Sequence, residues 1–155
     1  MPLDKRTNSA EYETDPEILY EKLRISDQQF RGAFEHASIG MAIVGLDGKW
    51  KQVNKSLSKT LGYSSAELIK LTFQDLTHPE DLNKDLNSLD KLIKGKKDSY
   101  EIEKRYFHKN GSIIYAILSV SIVRDQFGKP LQFVSQIVDI TNRKKTEDHV
   151  KKYLR

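Results

Sequence analysis

The stretch SYEIEKRYFHKNGSIIYAILSVSIVRDQFGKPLQFVSQIVDIT, residues 99–141, decides the fold. Tyr100, Ile102 and Tyr106 fall on one face of a first strand and Glu101, Glu103 and Arg105 on the other, the alternation of a half-buried strand. Asn110-Gly111 then marks a hairpin. From Ile113 to Arg124, Ala116, Leu118, Val120 and Ile122 face away from Tyr115, Ile117, Ser119, Ser121 and Val123. A turn through Asp125-Gln126-Phe127-Gly128 leads into Leu131 to Asp139, where Phe133, Ser135 and Ile137 alternate with Val134, Gln136 and Val138. Three strands joined by tight turns must pair antiparallel. The charged stretch from Thr141 onward reads as a helix.

Upstream, Gly40 to Gly45 is a short apolar run with little alternation, which predicts a strand buried on both faces. Asp47-Gly48 turns the chain and Lys49 to Val53 returns it. Asn54 caps a helix over Lys55 to Leu61 that Gly62 stops, and Ser64 to Glu67 opens another turn. His78-Pro79-Glu80-Asp81 starts a longer helix carrying Leu82, Leu86, Leu89, Leu92 and Ile93, ended by Gly95. Before the first strand, Thr14 to Glu17 and Ser26 to Gln29 each form a capping box, predicting two successive helices. Residues 1–13 read as disordered, 14–29 as a flanking helix, 30–140 as the domain, and 141–155 as the start of a C-terminal linker helix. The order of elements gives an α+β fold with helices grouped on one side of the sheet and a cavity between.

Among the 155 residues there is no cysteine, which removes disulfides, thiolate nucleophiles and cysteine–zinc sites. The net charge is +4, and residues 141–155 account for all of it, with six basic side chains against Glu147 and Asp148. The body is therefore neutral, where a nucleic-acid binder needs a basic face. No apolar run suffices to span a bilayer, and Met1 to Glu17 lacks the apolar middle of a signal peptide. These features fit a cytoplasmic protein without direct membrane insertion.

Several short motifs recur in a familiar order. Asp47-Gly48, Val53-Asn54, Leu61-Gly62-Tyr63-Ser64 with Glu67-Leu68, and His78-Pro79-Glu80-Asp81 are followed by Lys109-Asn110-Gly111-Ser112, Val123-Arg124-Asp125, Gly128-Lys129-Pro130 and Asp139-Ile140-Thr141. Over Phe30 to Thr141 the chain resembles a PAS domain of the S-box type, a sensory module of bacterial signal transduction. The resemblance implies a five-stranded antiparallel sheet of order 2-1-5-4-3 with short helices on one face and a C-terminal signalling helix. It also implies a larger parent with a downstream effector, a sensor histidine kinase of a two-component system or, alternatively, a cyclic-dinucleotide enzyme such as a diguanylate cyclase. The chain itself is then not an enzyme.

Asp139, Ile140 and Thr141 are the expected signal relay. Asp139 ends the last strand, and either Asp139 or Thr141 can cap the next helix, so the connection has almost no slack. The exit helix carries a partial heptad seam of Ile140, Arg143, Glu147, Val150 and Leu154, and it stops without a Gly or Pro terminator, as in a fragment of a longer chain. A second copy of the chain is the expected partner, paired through the amphipathic helices over Pro16 to His36 or the outer sheet face.

The expected pocket is lined by Ala42, Val44, Leu118, Val120, Phe133, Ser135 and Ile137 of the sheet and Leu57, Leu61, Leu89 and Ile93 of the helices. It holds few convergent polar groups and no titratable cluster, so a tightly packed core and a ligand site both remain open. The cofactor is unknown. Haem-binding relatives usually carry a proximal His on the long helix, and Leu82 to Lys94 has none. A covalent flavin adduct is excluded because it needs a Cys, and Ile137 stands where flavin-binding relatives offer a Gln. A noncovalent flavin against Trp50 stays open beside the reading of Trp50 as core. His36, His78, His108 and His149 lack metal-ligand spacing. No nucleophile elbow or phosphate-binding glycine loop occurs. A passive interaction module without ligand is the alternative function.

Overall fold

The structure, a computed structural model, describes residues 15–154. The expected disorder of residues 1–13 and the Thr14 cap lie outside them. The chain divides into two compact units, residues 1–34 and 35–155.

The first unit contributes most of one helix, α1 (Pro16–His36). Asp15 caps it by accepting the Glu17 N–H at 2.9 Å, with Pro16 at the first helical position. The two helices expected here are one. Ser26 to Gln29 contains neither Gly nor Pro, and continuing the helix satisfies the N–H groups a new cap would have served. Leu19, Tyr20, Leu23, Ile25 and Phe30 are exposed along it.

The second unit folds around a five-stranded antiparallel sheet: β1 (Gly40–Val44), β2 (Trp50–Val53), β3 (Ser99–Phe107), β4 (Ile113–Arg124) and β5 (Pro130–Asp139). The order is β2-β1-β5-β4-β3. The last strand therefore lies at the centre, with Ala42 opposite Ser135 and Leu118 opposite Ile137. At the Asn110-Gly111 turn, Gly111 donates to the His108 carbonyl while His108 donates to Ser112, and Gly111 adopts φ 88°. This is a three-residue loop with glycine in the left-handed position. The same pair of bonds closes the Gly45–Lys49 and Asp125–Lys129 turns.

Between β2 and β3 run α2 (Lys55–Leu61), α3 (Ser65–Leu68), α4 (Phe73–Leu76) and α5 (Pro79–Ile93). Their starts are set locally. Asn54 accepts the Leu57 N–H, Ser64 with Glu67 and Thr72 with Asp75 form capping boxes, and His78 Nδ1 accepts the Glu80 N–H. Asn54 also ties this corner to the sheet by accepting from Met41 and donating to the Ile39 carbonyl, both at 3.0 Å. Leu57, Leu61, Leu68 and Leu92 are fully buried against the sheet residues Ala42, Val44, Leu118 and Ile137 in one core.

The sheet ends in α6 (Thr141–Tyr153). Of the two residues expected to cap it, Asp139 accepts the Thr141 N–H of the first helical residue at 2.9 Å, whereas Thr141 does not cap. Ile140 holds the N-cap position with no side-chain cap bond, and its side chain is buried. Thr141 is engaged otherwise: its hydroxyl oxygen accepts the Tyr115 N–H of β4 at 3.1 Å and its hydroxyl donates to Asp139 at 2.5 Å. Ile140 N–H donates to the Tyr115 carbonyl at 2.8 Å.

Candidate functional site

β3 turns Tyr100, Lys104 and Tyr106 toward the helices by its two-residue period, and all three are buried. On α5, Asp85 sits three residues after Leu82 and four before Leu89, which places it on the apolar stripe of the helix. These two patterns bring a carboxylate and an ammonium together inside the core. Lys104 Nζ lies 2.5 Å from Asp85 Oδ2, and the Tyr100 hydroxyl donates to Asp85 Oδ1 at 2.6 Å. The side chains of Lys104 and Asp85 are 1% and 2% exposed, so water screens neither. The ammonium also stands 4.6 Å from the Phe73 ring centroid and 4.5 Å from that of Tyr106, at cation–π distance.

Burial pulls the Lys104 ammonium below its ordinary pKa, opposed by the adjacent Asp85 carboxylate. Burial, followed by the Asp85 charge, holds the Tyr100 and Tyr106 hydroxyls well above the usual tyrosine range. Trp50 adds an indole Nε1–H that is buried without a hydrogen-bond acceptor among the described residues.

These side chains surround a cavity of about 20 Å³, completed by Val44, Leu89, Leu118, Val120, Phe133, Ser135 and Ile137. That is room for one water molecule, far below the few hundred Å³ of a flavin or drug-sized site. Of the residues named from sequence, Val44, Trp50, Leu89, Leu118, Val120, Phe133, Ser135 and Ile137 line it. Ala42, Leu57 and Leu61 are fully buried in the core but do not line the cavity. Ile93 is 37% exposed, because the buried stripe of α5 runs through Asp85, Leu89 and Leu92 and leaves Leu86 and Ile93 on its flank. The expectation that the pocket lacks titratable groups is overturned. Phe73, Asp85, Tyr100, Lys104 and Tyr106 also line it. The period that placed Tyr100 and Tyr106 inward also places Lys104 there.

Lys104 has a second neighbourhood. With Asp81, Glu103, Arg105, Tyr115, Ala116 and Lys144 it lines a surface groove of about 170 Å³. There Lys144 of α6 pairs with Glu103 of β3 at 3.0 Å, which favours its charged form. The first turn of α6 is thus bonded to β4 through Tyr115 and paired to β3 through Glu103. Among the described residues no group of three or more His, Cys, Asp or Glu side chains is placed to hold a metal ion.

A central last strand, short helices over one face, a small pocket between them and a helix leaving the sheet directly define an α+β module of one recognisable class. The model of the PAS fold matches residues 51–137, and the chain belongs to that family. It is 53% identical over 122 residues to the "Probable diguanylate cyclase DgcE" of Escherichia coli strain K12, covering 79% of this chain and 11% of that protein. It is 25% identical over 126 residues to the sensor histidine kinase TmoS of Ectopseudomonas mendocina, covering 81% of this chain and 13% of that one. The chain spans about a tenth of the length of these relatives. A crystal structure of the PAS domain of a Colwellia psychrerythraea protein superposes with a TM-score of 0.68 at 20% identity, over 74% of this chain and 97% of that one. The chain is a PAS domain homologous to segments of larger signalling proteins.

Proposed function

We propose that this domain is the sensory and dimerisation module of a larger signalling protein, and that it relays a change in core packing to α6 through Asp139, Ile140 and Thr141. One observation carries the reading. The junction is held to β4 by both backbone groups of Tyr115, one bonded to Ile140 N–H and the other to the Thr141 hydroxyl. A displacement of β4 must move the start of the helix, because no flexible segment absorbs it. The neighbouring Ala116 lines the groove that also touches Lys104, so the core cluster and the junction lie on adjacent positions of the sheet.

The 53% identity to a stretch of a diguanylate cyclase favours a cyclic-dinucleotide enzyme over a histidine kinase as the output. Among the described residues no helix is long and apolar enough to cross a membrane, which is compatible with a cytoplasmic position. Self-association is supported by the exposed Leu19, Tyr20, Leu23, Ile25 and Phe30 of α1. Light scattering on the chain lacking residues 1–29 should show a smaller oligomer, and an unchanged mass removes that part of the reading.

Hydrogen exchange tests the relay. Replacing Lys104 and Asp85 together by Met and Leu should change amide protection at Ile140 and Lys144 by at least about threefold relative to wild type. Unchanged protection at both amides, with the core altered, defeats the relay.

A further inference from the structure

The surroundings of Lys104 Nζ are those of a receptor for an organic cation. A buried carboxylate accepts one N–H, two aromatic faces lie within 4.6 Å, and the indole of Trp50 lines the same cavity. Aromatic walls with one carboxylate recognise ammonium groups through the ring quadrupole and a charge-assisted hydrogen bond. Tyr100 satisfies the other carboxylate oxygen, as any buried ion pair requires, while the ammonium is flanked by two aromatic rings, an arrangement suited to binding a cation. The remaining cavity of about 20 Å³ shows that the side chain already fills the site.

We propose that this pocket is an ammonium-binding site whose resident ligand is the chain's own Lys104 side chain, and that primary alkylammonium ions are the class of external ligand it accepts in that place. The tethered group outcompetes free amines because its effective concentration within the fold is in the millimolar range or above. The domain is self-liganded. A signal at this pocket is then a change in how Lys104 is seated, or its replacement by an amine. The inference rests on the sensory reading for its biological meaning alone, since the cage can be tested without α6.

Lys104→Ala keeps Cβ and removes Cγ, Cδ, Cε and Nζ, a gap that n-propylammonium matches atom for atom. Thermal unfolding of the full chain should show Lys104→Ala raised by about 4 °C in a tenfold excess of propylammonium chloride over its dissociation constant. Wild type should stay within about 1 °C under the same conditions, and 1-propanol, of the same shape without the charge, should do less than half as much for the variant. Adding Asp85→Asn to Lys104→Ala should abolish the amine effect. Equal shifts with propylammonium and propanol, or an amine effect that survives Asp85→Asn, overturn the proposal in favour of simple cavity filling. If Lys104→Ala does not fold alone, refolding decides: recovery with propylammonium and not with propanol supports the site, and recovery with neither or with both refutes it. Amine binding with no change in α6 exchange would keep the cage and dismiss the relay, so the two readings fail separately.

Discussion

Two ion pairs join the same two elements from adjacent residues of β3. Lys104 reaches Asp85 on the inner face of the strand, and Arg105 reaches Asp81 on the outer side, one helical turn earlier on α5. Arg105 is bidentate to Asp81, with Nε and Nη2 at 3.0 and 2.8 Å, and its Nη2 adds Glu80 at 3.0 Å. It has the better fork geometry but is only partly buried, with side chains 27% and 19% exposed, whereas the Lys104 pair is sealed from solvent. The comparison separates geometry from dielectric. At the partly exposed pair, water still reaches and screens the charges, so it adds less than its geometry alone suggests. Inside, each charge has lost its hydration and depends on the other, so loss of either partner leaves an uncompensated buried charge. The same reasoning gives the opposite pKa directions: the hydrogen bonds it donates to Asp81 and Glu80 raise Arg105, while burial dominates and lowers Lys104.

The largest expected effect is on the inner pair. Lys104→Ala or Asp85→Ala alone should lower stability by about 3–5 kcal/mol, measured by urea denaturation. Replacing both with Met and Leu should recover most of that loss or leave the domain more stable than wild type. If the double replacement proves as damaging as the singles, the pair is required for more than mutual compensation.

Alkaline titration comes next. Tyr100 and Tyr106, two of the seven tyrosines, stay protonated in the fold above the pH at which an unfolded tyrosine ionises, about 10. The folded state then binds more protons than the unfolded one, so stability falls as pH rises past that value. By about pH 11 each buried tyrosine should remove roughly 1.4 kcal/mol. Their phenolate absorbance should appear only as circular dichroism is lost, and early phenolate signal from both would place the inner face in contact with water.

At the junction, Thr141→Val removes the acceptor for the Tyr115 N–H and should cost about 1 kcal/mol while speeding amide exchange at Tyr115. Normal exchange there would show that the strand does not depend on the threonine. The smallest effect belongs to the outer pair. Arg105→Met should change the urea midpoint only slightly, and less still in high salt. Its acid signature has a definite sign. The Arg105 hydrogen bonds hold Asp81 below the usual carboxylate range, so the contribution is present above about pH 4 and disappears as pH falls through the lowered value. A loss for Arg105→Met as large as that for Lys104→Ala would erase the distinction between the two faces.

Much of this was legible in the chain. Tyr100 and Tyr106 declared the inner face of β3 by alternation, and Asn54 and Ser64 declared helix starts by their side chains. Lys104 obeys the same alternation as its neighbours, and Asp85 the same helical spacing as Leu82 and Leu89. Their charge argued for the surface more strongly than their position argued for the core, because an unpaired charge is almost never buried. Only knowledge that both point to one place reverses that judgement. The second capping box misled for the converse reason: Ser26 satisfied a local rule that a continuing helix could satisfy equally well.

By itself the sequence determined the turns, the caps, the strand period and hence the order of elements, since each depends on residues a few positions apart. Tertiary structure alone decided that Asp85 meets Lys104 across 19 residues, that Thr141 meets Tyr115 across 26, and that the pocket closes to about 20 Å³. Those outcomes depend on strand register and on how helices seat on the sheet, where a shift of one residue turns every inward side chain outward.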